Sequence, residues 1–320
     1  MRQPGQRAMG RWEAQVAQYL ADRRALGFRL RTAGDELGLF ARYLDSRCHR
    51  GPLTTEVAIH WARLAPRARP EYGAWRLNVV RGFIKYLAAT DARHEVPPVL
   101  ALGRTYRRAQ PHIYSSQELT CLLDAATMVK PVDALPPRTY RVLFGLLAAT
   151  GLRCGEALGL HRDHVDLGLG RLTIARGKPG RDRIVPLHPT VTRELATYAD
   201  LRDRAFPRGR KSEAFFLSRR ATALRYPSVN ITFRQLRRQL GWHTRRPLPR
   251  VHDMRHTFAV RTLVRWCEAG EDVDKRILAL TTYLGHVKPT STYWYFSAVP
   301  ELMAITGRRF EAFARQDVSR

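Results

Sequence analysis

The sequence predicts a mainly α protein with a small β-sheet, an N-terminal helical bundle followed by an α+β domain. Three observations carry this. Apolar residues recur at helical spacing along most of the chain, and two short runs near residues 171–187 change to strand-type composition around a Gly- and Pro-containing turn. A stretch rich in Pro and Arg, with almost no periodic apolar pattern, divides the chain near residue 100. A length of 320 residues fits about two domains.

The first expected domain spans 1–95. Its first helix places Val16, Tyr19 and Leu20 on one face, and its second does the same with Leu37, Phe40, Tyr43 and Leu44. In the third, Thr54 or Thr55 can cap a run carrying Val57, Trp61 and Leu64. The fourth, Trp75 to Ala89, turns Val80, Phe83, Ile84 and Leu87 inward and leaves Arg76, Arg81 and Lys85 along the outer side. That basic row reads either as a solvated helix face or as a DNA-binding one. The neighbouring segment 96–112, with Pro97, Pro98, Pro111, Arg104, Arg107 and Arg108, reads as a basic linker that favours DNA.

The second expected domain runs from 113 to 320. It opens with SSQE, a capping box in which Ser115 accepts from a backbone N–H and Glu118 reaches back, ahead of Leu119, Leu122 and Leu123. A helix from Arg138 to Ala149 follows, then a turn at Thr150 and Gly151, then a helix holding Arg153, Glu156 and Leu158. Residues 171–175 and 182–187 form a hairpin across GKPGR. Beyond a loop at 206–211, helices are expected over Ile231–Leu240, Met254–Ala269 ended by Gly270, and Asp274–Leu284 ended by Gly285. A terminal segment with Leu302, Met303, Ile305, Phe310 and Phe313 is amphipathic and can pack in cis or on another protomer.

Composition narrows the function classes. There are 55 Lys plus Arg against 28 Asp plus Glu, a formal net charge of +27, and this points to a polyanionic partner, nucleic acid first. Cys48, Cys121, Cys154 and Cys267 lie far apart with no CxxC pair, which indicates neither a zinc ribbon nor a disulfide framework and fits buried free thiols in a reducing cytoplasm. The N-terminus has no apolar signal region, and the apolar run Val142–Ala149 is too short to span a bilayer; a soluble, cytoplasmic chain, nucleoid-associated when on DNA, is expected.

The chemistry-bearing residues are dispersed: Arg153 in TGLRCGEALGL, Lys178 in RGKPGRDRIVPL, His252 and Arg255 in HDMRH, His286 in YLGH and Tyr295 in TYWYF. Phosphodiester exchange without a metal needs cations fixed on the non-bridging oxygens as phosphorus becomes five-coordinate, and two guanidiniums such as Arg153 and Arg255 suit that task. A lysine at a hairpin tip keeps a transferable proton. His252 and Arg255, three apart on a helix, share a side, and the imidazole can serve as acid or base; His256 is the neighbouring candidate. Glu156, three after Arg153, can orient a guanidinium.

In this order and with these frames, the set from about residue 113 onward resembles the tyrosine recombinase (phage integrase) family. Pro179 and Arg181 depart from it, standing where Gly or Lys is usual. The resemblance implies a two-domain clamp closing on double-stranded DNA and a catalytic set of Arg153, Lys178, His252, Arg255, His286 and Tyr295. It implies that Tyr295 forms a 3′-phosphotyrosine, that Lys178 protonates the leaving 5′ oxygen and that His286 hydrogen-bonds the scissile phosphate. It further implies no ATP or metal cofactor, assembly as a homotetramer on a DNA synapse or with sister recombinases, and, from TYWYFSAVPELM, a mobile-element recombinase. Tyr293 is the competing nucleophile; two residues from Tyr295, it diverges from it on a helix. Three rival readings stay open: a type IB topoisomerase-like enzyme, a non-catalytic DNA-binding protein, and a zinc hydrolase, because HDMRH lies near HExxH. Asp253 in the base position and Arg255 beside the supposed metal count against the last.

Overall fold

The computed structural model describes residues 9–65, 70–105, 110–129, 135–175, 182–206, 212–286, 289–298, 303–304 and 307, with 135, 136, 297 and 298 as backbone alone. The chain divides into two compact units, Met1–Arg108 and Ala109–Arg320.

The first unit contains α1 (Arg11–Ala25), α2 (Arg31–Ser46), α3 (Thr55–Arg63) and α4 (Pro70–Leu87). Their apolar stripes meet in one core built on Trp12, Phe40, Leu44, Trp61, Val80 and Phe83. Each such side chain, fully buried, contributes about 1.5–3 kcal/mol over an exposed one. Thr54 caps α3, accepting from the Val57 amide at 3.3 Å. Val96 and Leu102 pack against this core, and Arg81 Nε donates to the Pro97 carbonyl at 2.8 Å. Residues 96–105 are therefore held on the first unit by ordinary packing.

The expected outer basic row on α4 needs one correction. Arg76 is 7% exposed: its Nε donates to Glu36 Oε2 at 3.1 Å, its Nη1 to the Trp61 carbonyl at 3.2 Å, and its guanidinium lies 3.7 Å from the Trp61 ring centroid. A carboxylate, an aromatic face and a carbonyl at the end of α3 together outweigh the cost of burying that cation. Lys85 and Arg104 are exposed, Arg81 is half-buried, and Arg107 and Arg108 lie outside the described residues.

The second unit begins with α5 (Ser116–Thr127), capped as the sequence predicts: the Ser115 hydroxyl accepts from the Glu118 amide at 3.0 Å, and Glu118 accepts from the Ser115 amide at 2.7 Å. It continues with α6 (Leu135–Thr150), α7 (Cys154–Leu158), β1 (Val165–Asp166), β2 (Arg171–Ile174), β3 (Arg183–Pro186), α8 (Pro189–Ala205), α9 (Tyr226–Gln239), α10 (Asp253–Glu268), α11 (Val273–Leu284) and α12 (Thr290–Ala298). The sheet is antiparallel in the order β1-β2-β3, and Ile174 pairs with Arg183. α6 lies in the main core with Leu143, Phe144 and Leu147, while Ala259, Leu263, Leu280, Leu284 and Tyr295 of α10, α11 and α12 form a second cluster. Two elements escaped the sequence reading: β1, only two residues long, and α8, whose inward face mixes Leu195, Tyr198 and Ala199 with the buried Arg202. Of the terminal amphipathic segment, Leu302, Ile305, Phe310 and Phe313 lie outside the described residues, and Met303 is exposed.

Candidate active site

Gly151 turns the chain out of α6 with φ +63, a conformation that side chains disfavour. A Cβ there would fall 2.6 Å from Phe258 Cδ1 and 3.1 Å from Leu284 Cδ2, so only glycine lets α6 end against α10 and α11. The turn leaves the Gly151 carbonyl facing Arg255 and sets Arg153 at the residue preceding α7, not inside a helix.

Arg255, on the first turn of α10, is 2% exposed. Its Nη1 donates to the Gly151 carbonyl at 2.8 Å and its Nη2 to the Leu284 carbonyl at 2.7 Å. Burial, and then the charge of Arg153, draw its pKa down to about 10, against the pull of Tyr295 and Glu156; it remains a cation at neutral pH. Arg153 is more open, with 41% of its side chain exposed. Its Nη1 donates to Glu156 Oε1 at 2.9 Å and its Nη2 to the Gly285 carbonyl at 3.2 Å.

A third arginine belongs to the cluster. Arg183, at the start of β3, gives Nη1 to Glu156 Oε1 (3.0 Å), Nη2 to Glu156 Oε2 (2.8 Å) and Nε to the Tyr283 carbonyl (2.9 Å). The carbonyls of residues 283, 284 and 285, at the negative end of α11, thus each receive a different guanidinium. Burial alone would raise the Glu156 pKa, but the Arg183 hydrogen bonds, the Arg153 amide and both charges hold it down at about 2. The sequence reading passed over Arg183. The signal was present: alternation along β3 puts Arg183 on the inward face with Val185.

His252 caps the start of α10. Loss of hydration, then Arg255, Arg250 and Arg153, depress its pKa to about 4. The residue is nevertheless exposed, so solvent weakens both the burial and the repulsion, yet the downward direction gives a neutral imidazole at pH 7. His286 follows the α11 cap Gly285, and its Nδ1 lies 2.8 Å from Thr292 Oγ1. Thr292 is fully buried and its hydroxyl is 2.9 Å from that of Thr281, so α11 and α12 jointly fix the imidazole.

Tyr295, on α12, is 2% exposed, and its hydroxyl lies 2.9 Å from His256 Nδ1. Tyr293 behaves differently. It is 44% exposed, its hydroxyl donates to Asp274 Oδ1 at 3.3 Å, and that carboxylate neighbourhood holds the phenol pKa up, after burial. Through these bonds and charges Arg153 and His252 just ahead of α7 and α10, Glu156 on α7, Arg255 on α10, His286 just after α11 and Tyr295 on α12 come to one region; Lys178 lies outside the described residues. The HDMRH histidines sit with ring centroids 4.8 Å apart, but Asp253, where a zinc hydrolase keeps its base, is fully buried and accepts from the Arg250 amide at 2.8 Å and its Nη2 at 2.9 Å. Among the described residues no group of three or more His, Cys, Asp or Glu is placed to hold a metal ion. Nor is any described helix long and apolar enough to cross a membrane.

The profile of the phage integrase family matches residues 115–301, which include every element from α5 to α12 and each clustered residue named above. A Sinorhizobium fredii protein named as integrase/recombinase y4rB is 40% identical over 309 residues, 95% of this chain and 98% of that one. The chain belongs to the phage integrase family. Tyrosine recombinase XerD of Mycobacterium tuberculosis is 32% identical over 227 residues, 68% of this chain and 67% of that protein. Among solved structures, the Tn1549 transposon integrase in complex with transposon right end DNA aligns with a TM-score of 0.69 at 17% identity, over 94% of this chain and 98% of that one. The XerH site-specific recombinase bound to its difH substrate aligns with a TM-score of 0.66 at 17% identity, over 93% and 84% of the two chains. These likenesses establish a shared fold, mostly helical with a small sheet, for this phage integrase family member.

Proposed function

We propose that this family member is a site-specific DNA recombinase in which Tyr295 attacks a backbone phosphate of double-stranded DNA. The bond from the Tyr295 oxygen to phosphorus forms as the bond to the 5′ oxygen breaks, leaving a 3′-phosphotyrosine and a free 5′-hydroxyl. A 5′-hydroxyl of a partner duplex then reverses the step, and the phosphotyrosine conserves the energy of the phosphodiester. The observation that carries this reading is the buried Tyr295 hydroxyl, held by His256 and lying in the field of an Arg255 guanidinium that two carbonyls lock in place. His256 gives the phenol proton a destination, because a phenol with an ordinary pKa of about 10 attacks poorly until deprotonated. Arg153 and Arg255 hold the charge that grows on the non-bridging oxygens. By family resemblance Lys178 protonates the leaving 5′ oxygen, and His286 adds a donor to the phosphate.

Each chain carries one such tyrosine and a full exchange cuts four strands, which supports four protomers on the synapse, identical or shared with sister recombinases. The y4rB likeness and the transposon-integrase fold support a mobile-element role. DNA as substrate supports a place of work in the cytoplasm, on the nucleoid. Among the described residues of the first unit, Lys85 and Arg104, which are exposed, and half-buried Arg81 are candidates for phosphate contact; Arg107 and Arg108 lie outside the described residues.

The test is a nicked suicide duplex carrying the recognised site. The native chain is expected to give a denaturant-resistant protein–DNA adduct, Tyr295→Phe none, and Tyr293→Phe an undiminished amount. An adduct formed by Tyr295→Phe and lost in Tyr293→Phe would move the nucleophile to Tyr293.

A further inference from the structure

We propose that Arg183 is a positioning residue for strand cleavage, holding Glu156 so that Glu156 fixes the Arg153 guanidinium; the inference rests on the reading of the site just given. Glu156 accepts four hydrogen bonds, two on each oxygen. Oε1 takes Arg183 Nη1 and Arg153 Nη1, while Oε2 takes Arg183 Nη2 and the Arg153 amide. The carboxylate therefore bridges the guanidinium fork of Arg183 and the amide and Nη1 of Arg153.

The two arginines face differently. Arg183 keeps 8% of its side chain exposed and directs Nε, Nη1 and Nη2 to protein acceptors. Arg153 keeps 41% exposed and offers the open face of the pair. Arg183 thus works behind Arg153, away from the place a phosphate would take.

Charge explains why a carboxylate is tolerated beside a phosphate site. The guanidiniums of Arg153, Arg183 and Arg255 against the single Glu156 leave two net positive charges. A five-coordinate phosphorus formed from a phosphodiester and a phenolate carries two negative ones. Without Arg183 the carboxylate would be free to turn fully onto Arg153 and neutralise it. With Arg183 the bidentate pair holds both oxygens in one plane, a geometry an ammonium cannot reproduce. The same residue opens β3 and pairs with Ile174, so the clamp also ties the sheet to α7 and α11.

The test compares Arg183→Lys and Arg183→Met with the unsubstituted chain in single-turnover cleavage of the suicide duplex. The scissile position is either the normal phosphate or a methylphosphonate, in which one charged non-bridging oxygen is replaced by methyl. DNA binding and melting are followed alongside. On phosphate both variants should bind as the native chain does and cleave roughly 10–100-fold more slowly, the range for loss of a residue that orients an active group. On methylphosphonate, where Arg153 has less charge to hold, most of that loss should disappear. Native cleavage rates in either folded variant overturn the proposal. So does a loss of equal size on both duplexes, which is the signature of a general folding defect. Tyr295→Phe runs as the control: an adduct surviving in it overturns the reading of the site itself, an outcome distinct from equal losses, which overturn the role of Arg183 alone.

Discussion

Arg255 shows how one residue can serve both fold and chemistry. Its guanidinium is buried against two carbonyls that α6 and α11 leave without helical partners, so the same bonds close the core and aim a cation. Arg255→Lys keeps the charge but can satisfy the two carbonyls only poorly. Cleavage should fall by on the order of 10²–10³, as when one preorganised donor is lost, and single-turnover adduct formation at saturating protein measures it. His252 and Glu156 set the acid response. The unfolded imidazole takes a proton as pH falls below 6.5, whereas the folded one resists until about 4, so stability declines across that window. Glu156, depressed from 4.5 to about 2, adds a stabilisation present above 4.5 and lost as pH falls through 2. The melting temperature should therefore drop steadily on acidification from pH 6.5, and His252→Gln should flatten the part between 6.5 and 4. A profile for His252→Gln that parallels the native one would show that His252 is not the group responsible. At this scale the flanking frames of Arg153, Arg255 and Tyr295 singled out residues that the fold brings to one region. It was silent where a distant partner decides: Glu36 and Trp61 bury Arg76, and Glu156 captures Arg183, over separations that local pattern does not see.

Elements were read best where their ends carry their own chemistry. Ser115 with Glu118 announces α5, and Gly285 in the left-handed conformation closes α11. Both motifs act within a few residues and need no tertiary partner. α8 was missed because its inward face includes Arg202, whose Nη1 donates to the Phe215 carbonyl at 3.0 Å, and a buried arginine breaks the apolar rhythm that marks a helix. The turn at Gly151 joins three elements, and its requirement for glycine is testable. Gly151→Ala forces a side chain into a positive φ and against Phe258, and should cost about 1–3 kcal/mol from the backbone alone, with cleavage lost in step as the Arg255 carbonyl partner moves. Denaturant unfolding with the midpoint compared to the native chain checks this. A stability within experimental scatter of native would mean that α6 and α10 can separate without penalty.

Across the whole molecule the decisive quantity is charge. With a formal excess of +27, DNA binding should be governed by counterion release. If six or more phosphates are neutralised, affinity should fall by roughly 10³-fold or more between 50 and 200 mM salt. A flat salt response would remove the electrostatic basis of the proposed substrate. Within this frame Lys85→Ala and Arg104→Ala should each lower the salt slope by about one phosphate, whereas Arg76→Ala should act on folding, because the buried Glu36 would lose its cation and keep only the Tyr72 hydroxyl as a partner. The family reading drew on residues dispersed from Arg153 to Tyr295, and their meeting depends on the way α7, α10, α11 and α12 pack, which no local pattern contains. The most direct measurement is mass spectrometry of the adduct after nuclease trimming and proteolysis. The nucleotide remnant should be found on Tyr295; a remnant on Tyr293, on a serine, or on no residue at all would contradict the account.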